Sequence, residues 1–250
     1  MYKQLHIKTL SFFILLSILF FSCGEDNPIV SNEDPFGFAY YPVELGNYWV
    51  YQVDSTIYDD GGATILNSST FIKEEIVDFY LNESDDTIYV LNRSQASSLN
   101  GTFITRDAWS IEMNEFRVTK TEENLRFIKL VFPITVDRVW QGNQFDELIK
   151  VDVVGEKLQV YKDWGDYRII NDSLSLNVNG TQYDNVVEVL QGDASNDIER
   201  RFAKEYFGKG VGLIKKEMII LDSQCDCPGE SWEEKAEAGF ILTQTLVEYN

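Results

Sequence analysis

The chain has 250 residues, 41 acidic and 21 basic side chains, a net charge of −20 and 14% aromatic residues. Its single histidine, His6, lies in the first segment, so the remainder offers no imidazole for a Ser-His-Asp or Cys-His nucleophile, or for histidine-ligated zinc or haem. So acidic a surface repels phosphate backbones, which argues against nucleic acid as a partner.

Residues 1–22 place Lys3 and Lys8 ahead of an apolar run from Leu10 to Phe21. A membrane-spanning helix needs about 20 such residues, so this shorter run reads as the h-region of an export signal. Cleavage after Ser22 removes His6 and leaves 19 basic residues against 41 acidic ones, a net charge of −22. The segment ends Phe20-Phe21-Ser22-Cys23, which resembles a bacterial lipobox, with Phe20 where leucine is more usual. The resemblance implies lipidation of Cys23 (a palmitate-type anchor), and each buried methylene of its acyl chains adds ~0.8 kcal/mol of membrane affinity. Gly24-Glu25-Asp26 is similar to the surface-export signal of Bacteroidota-type lipoproteins, with a plain solvated spacer as the alternative. Residues 23–39, with Pro28, Pro35, Glu33 and Asp34, are expected to form an acidic flexible tether.

From residue 40 to 250 the pattern is that of strands, and it predicts one all-β domain. Asn47 to Tyr58 is dense in β-branched and aromatic residues, with Trp49, Tyr51, Val53 and Ile57 in phase. A turn at Asp59-Asp60-Gly61-Gly62 leads to a strand toward Val77, then to Thr87–Leu91. Asn100-Gly101 signals a hairpin before Thr102–Thr105, and Trp109–Met113, Phe116–Lys120 and Asn124–Phe132 follow. Further strands are expected at Leu148–Val154, Lys157–Tyr161 and Tyr167–Ile170. The Asn179-Gly180 turn joins Leu174–Val178 to Thr181–Leu190, and Val211–Leu221 and Phe240–Tyr249 complete the set. Asp197–Phe207 is ambiguous, with a strand running into a helical turn as one reading, and Ser231 to Glu234 has capping-box spacing for a short helix. So many short strands predict a curved antiparallel sheet forming a half-open barrel, with a β-sandwich as the alternative.

Several stretches resemble uncharacterised envelope lipoproteins of Bacteroidota-type bacteria. They are Tyr41–Tyr51 (YPVELGNYWVY), Phe132-Pro133 with Trp140-Gln141-Gly142-Asn143, Tyr183–Val187, Glu205–Ile214 and Leu242–Leu246. The resemblance implies a half-barrel loosely like periplasmic lipoprotein carriers, at the outer membrane on its periplasmic face or at the cell surface. A fold alone does not assign a function.

Candidate sites are few. Trp49 and Trp140 are expected to pack in the core, with a ligand-facing role as the alternative. Cys225 and Cys227 could form a local disulfide, remain thiols, or, least expected, ligate a metal with Asp226. Two sulfurs do not complete a zinc site, so neither metal nor cofactor is assigned. Asp146 and Glu147 are the least arbitrary carboxylate pair for glycoside hydrolysis, a minor alternative. The acidic loops at Asp59-Asp60, Asp85-Asp86 and Asp193–Asp197 lack calcium-loop spacing, and Gly208–Gly212 lacks that of a nucleotide loop. Asp54-Ser55-Thr56, Asp86-Thr87-Ile88 and Asp172-Ser173-Leu174 resemble short O-glycosylation sequons of the same bacteria. Two function classes stay open: a non-catalytic binding module for an apolar or glycan ligand, and an accessory lipoprotein that docks another envelope protein.

Overall fold

A computed structural model describes residues 34–225, 227 and 229–250; the signal segment, Cys23 and most of the acidic tether lie outside them. The first half of the chain supplies β1 (Tyr48–Asp59), β2 (Thr64–Leu81), β3 (Thr87–Ala96), β4 (Ile104–Met113), β5 (Arg117–Glu122), β6 (Leu125–Val131) and β7 (Val139–Trp140). The second supplies β8 (Val151–Val153), β9 (Glu156–Leu158), β10 (Tyr167–Val178), β11 (Thr181–Ser195), β12 (Glu199–Gly208), β13 (Gly212–Asp222), the helical turn α1 (Trp232–Lys235) and β14 (Ala238–Tyr249).

Twelve strands form one antiparallel sheet in the order β6-β5-β4-β3-β2-β1-β14-β13-β12-β11-β10-β7. Because β14 pairs with β1, the two meanders join, and the sheet's free ends are β6 and β7, which are neighbours in the chain. Those ends approach each other. Ile128 N–H donates to the Gly142 carbonyl at 2.8 Å, Gln144 N–H to the Arg126 carbonyl at 2.9 Å, and Phe127 bridges Asn143. The sheet is therefore one nearly closed barrel. The only other sheet among the described residues is the β8–β9 ribbon, so the sandwich alternative falls.

Local signals explain most of the elements. Asn179 and Gly180 both take positive φ, 50° and 84°, as the twist of the β10–β11 hairpin requires. Ser231 N–H donates to the Glu234 carboxylate at 2.8 Å, closing the capping contact that starts α1. Three expectations are corrected. Asp197–Phe207 contains no helical turn, because β12 keeps its ladder with β11 and β13 throughout. Tyr167–Ile170 and Leu174–Val178 are one strand, which carries the polar Asn171-Asp172-Ser173 through successive register irregularities against β11. Likewise, Thr105 and Trp109 lie on a single strand, β4.

The chain is folded from Asp34, earlier than residue 40. Its carboxylate accepts from Gly37 N–H at 2.9 Å and from Ala39 N–H at 2.6 Å, and Phe38 packs edge-on against Phe132. The stretches Tyr41–Tyr51 and Glu205–Ile214 meet in space. Trp49 Nε1 donates to the Val211 carbonyl at 2.6 Å, and Tyr41 lies 5.9 Å from Phe207. Gly212, beside the Trp49 indole, holds φ at 94°, a backbone conformation that a side chain would strain.

Candidate functional site

The interior face of a barrel strand is every second residue. In β2 that face reads Ile72, Glu74, Ile76; in β5 it reads Val118, Lys120, Glu122; in β12, Ala203, Glu205, Phe207; in β13, Ile214, Lys216, Met218. Each set places a charge in phase with apolar neighbours, and β6 adds Lys129 beside Phe127. Barrel closure brings these charges together as a chain of alternating sign. Glu74 contacts Lys120 at 2.9 Å, Lys120 contacts Glu122 at 3.6 Å, and Glu122 contacts Lys129 at 3.1 Å. Lys129 then reaches across to Glu205 on β12 at 3.0 Å, and Glu205 lies 3.7 Å from Lys216.

Beside this chain is a cavity of about 170 Å³. Its aromatic wall includes Tyr41, Trp49, Tyr51, Trp109 and Phe207, and its polar wall holds Arg93, Gln244 and the six charges of the chain. Trp109 is flanked by two cations, Arg93 at 4.8 Å and Lys120 at 4.7 Å from the ring centre. Tyr51 donates its hydroxyl to the Leu213 carbonyl at 3.2 Å, and burial keeps it and Tyr41 neutral by pushing both phenols well above their usual range.

The ionic chain shifts its members in opposite directions. Burial alone would raise the Glu122 carboxyl, but Lys129 and Lys120 outweigh it and hold the group far below the usual carboxylate range. Burial would lower Lys129, yet Glu122 and Glu205 hold its ammonium above the usual lysine range, and Lys120 rises for the same reason through Glu74 and Glu122. Lys216 goes the other way. Burial, joined by repulsion from Lys129, pushes it below the ordinary value despite Glu122 and Glu205.

The structure separates the two tryptophans singled out by sequence. Trp49 is buried and forms part of the cavity wall. Trp140 is outside it: its Nε1 donates to the Ile128 carbonyl at 2.8 Å, and its ring meets Tyr167 edge-on, clamping the seam between β6 and β7. The rest of that motif serves the same seam. Gly142 lies so close to the Tyr167 ring that any Cβ there would collide with it, and Tyr167 donates its hydroxyl to Asn143 at 2.7 Å. Asp146 and Glu147 do not line the cavity; Asp146 accepts from Leu148 N–H at 2.9 Å and Glu147 from Asn143 Nδ2 at 3.3 Å. Cys225 and Cys227 are paired, with Cα atoms 5.3 Å apart, and Glu230 stands beside them. Several of the in-phase charges are masked in the sequence by a second charge beside them, as in Lys73-Glu74-Glu75 and Lys215-Lys216-Glu217. For Glu74, Lys129, Glu205 and Lys216 the usable signal is the phase, a charge flanked at both i−2 and i+2 by apolar residues; Lys120 and Glu122 flank each other and carry no such mark.

Neither a protein-family model nor a curated protein matches this chain. Solved structures do resemble it. One, provisionally described as a lipoprotein of Parabacteroides distasonis, is 13% identical, with a TM-score of 0.37, over 84% of this chain and 98% of the other. A second, provisionally described as an exported protein with a YmcC-like fold from Bacteroides fragilis, is 10% identical, with a TM-score of 0.36, over 84% and 98%. A third, provisionally described as an outer membrane lipoprotein-sorting protein domain of Vibrio parahaemolyticus, is 10% identical, with a TM-score of 0.23, over 85% and 87%.

Proposed function

We propose that this chain is an envelope lipoprotein, held to the outer membrane through Cys23, whose barrel is a non-catalytic binding module for a small ligand. The anchor rests on the apolar run ending in Ser22-Cys23. The binding module rests on one observation, the cavity of about 170 Å³ inside a nearly closed barrel. A cavity of about 150 Å³ is enough to admit one aromatic ring, so a single ring fits. Of the apolar and glycan ligands open at the outset, the charged wall favours a polar one. Asp146 and Glu147, the pair considered for glycoside hydrolysis, lie outside the cavity.

The accessory-protein reading has its own observation. Phe79 and Leu81, exposed on one face at the end of β2, offer an apolar surface suited to docking another envelope protein. Native mass spectrometry of the full chain, extracted from membranes of an envelope-bearing host, separates the two. A reproducible extra mass, released on denaturation, is expected. A bare mass that persists after incubation with envelope glycans and small metabolites would overturn the binding module and leave the docking reading. Replacing Cys23→Ala should abolish acyl labelling and release the protein from the membrane fraction.

A further inference from the structure

The six charges of the ionic chain are not equally satisfied. Lys120 and Lys129 each touch two carboxylates and each donates a hydrogen bond, to Glu74 at 2.9 Å and to Glu205 at 3.0 Å. Lys216 touches one carboxylate, at 3.7 Å, through the Glu205 oxygen that Lys129 already occupies. Among the described residues its ammonium makes no hydrogen bond at all. The other oxygen of Glu205, Oε2, is fully buried in the cavity wall and also lacks a partner. The wall as a whole carries four cations, Arg93, Lys120, Lys129 and Lys216, against three anions, Glu74, Glu122 and Glu205. This excess stands out in a protein whose acids outnumber its bases by 20.

We propose that the cavity takes a small, ring-bearing monocarboxylate whose anionic end pairs with Lys216 and whose ring lies against Trp49, Tyr51 and Trp109. The inference rests on the binding-module reading and names the ligand class. Folding has already withdrawn the Lys216 ammonium from most of its water without giving it a close partner, so an incoming carboxylate meets a cation whose desolvation is largely complete. A charge-assisted hydrogen bond in such surroundings is short and stronger than a neutral one. The Trp49 ring is held by its bond to the Val211 carbonyl, so the aromatic wall needs no rearrangement to receive the ligand.

The test is calorimetric titration of the full chain in lipid nanodiscs with two matched pairs of probes: glucuronate against glucose, and benzoate against benzyl alcohol. Within each pair only the carboxylate should matter, and it should bind roughly tenfold more tightly than its neutral counterpart. Lys216→Met should erase that preference while circular dichroism and the melting transition stay those of a folded barrel; Lys216→Gln, which keeps a polar head, should erase it too. Carboxylates that bind no better than the neutral probes, or a preference that survives both substitutions, would overturn the inference and leave the binding module intact. Binding by none of the four also overturns it, and the native mass spectrum then decides whether the module reading stands alone.

Discussion

At the seam between β6 and β7 the barrel interior is filled by rings; in the chamber bounded by β2, β5, β6, β12 and β13 it is filled by charges. The seam stacks Trp140, Tyr167, Trp164, Tyr161, Phe145 and Phe127 in successive contacts of 5.0–6.2 Å between ring centres. Such packing tolerates small displacements, because burial and dispersion depend weakly on orientation. The chamber does not. Each buried ion there needs a partner at hydrogen-bond distance, and losing one partner leaves the other stranded. Two solutions to the same space-filling problem thus divide the labour: the seam closes the barrel, and the chamber leaves unmet polar groups facing a cavity.

Substitutions should expose this difference. The largest effect is expected for Lys129→Ala, which leaves Glu122 only Lys120 at 3.6 Å and Glu205 only Lys216 at 3.7 Å, and should cost about 3–5 kcal/mol in urea denaturation. A cost below ~1 kcal/mol would mean that solvent already reaches the chamber and would break the comparison. Gly142→Ala drives a methyl group into the Tyr167 ring and should cost about 1–3 kcal/mol, with faster unfolding as the seam loosens. Tyr167→Phe keeps the ring and removes only the bond to Asn143, so roughly 1–2 kcal/mol is expected. The smallest effect belongs to Lys216→Met, which replaces a poorly partnered ammonium by an apolar group and should leave the urea midpoint unchanged or raise it slightly.

Acid should distinguish the regions as well. Glu122 is held below its ordinary value of 4.5 in the folded barrel, so its contribution is complete above that pH and is lost as the pH falls from 4.5 through the depressed native value. Lys120 and Lys129 stay charged to higher pH than the ordinary 10.5, so their contribution is lost only above that value. Lys216 carries the opposite sign: its penalty is present below its lowered native value and is relieved as the pH rises from there to 10.5. Urea midpoints measured from neutral pH into acid should therefore fall steeply in the native chain. The slope should persist in Tyr167→Phe and flatten in Lys129→Ala, where Glu122 has lost its main partner.

The sequence alone determined the all-β class and most strands and turns, because alternation, β-branching and the Asn179-Gly180 pair act over a few residues; it split β4 and β10, whose continuity is set by their partner strands. It also carried the seam motif, Trp140-Gln141-Gly142-Asn143, without saying what the motif was for. Trp49 could be assigned to the interior, but whether it faced packing or a cavity could not be read from β1. The ionic chain was hidden for a different reason. Glu74 and Lys120 lie 46 residues apart in sequence, and Lys129 and Glu205 lie 76 apart. Phase could mark Glu74, Lys129 and Glu205 as inward-facing, but only closure of the barrel decides which charge meets which. Lys216 was left with a shared partner for the same reason: register is set strand by strand, whereas charge compensation is settled across the whole circumference.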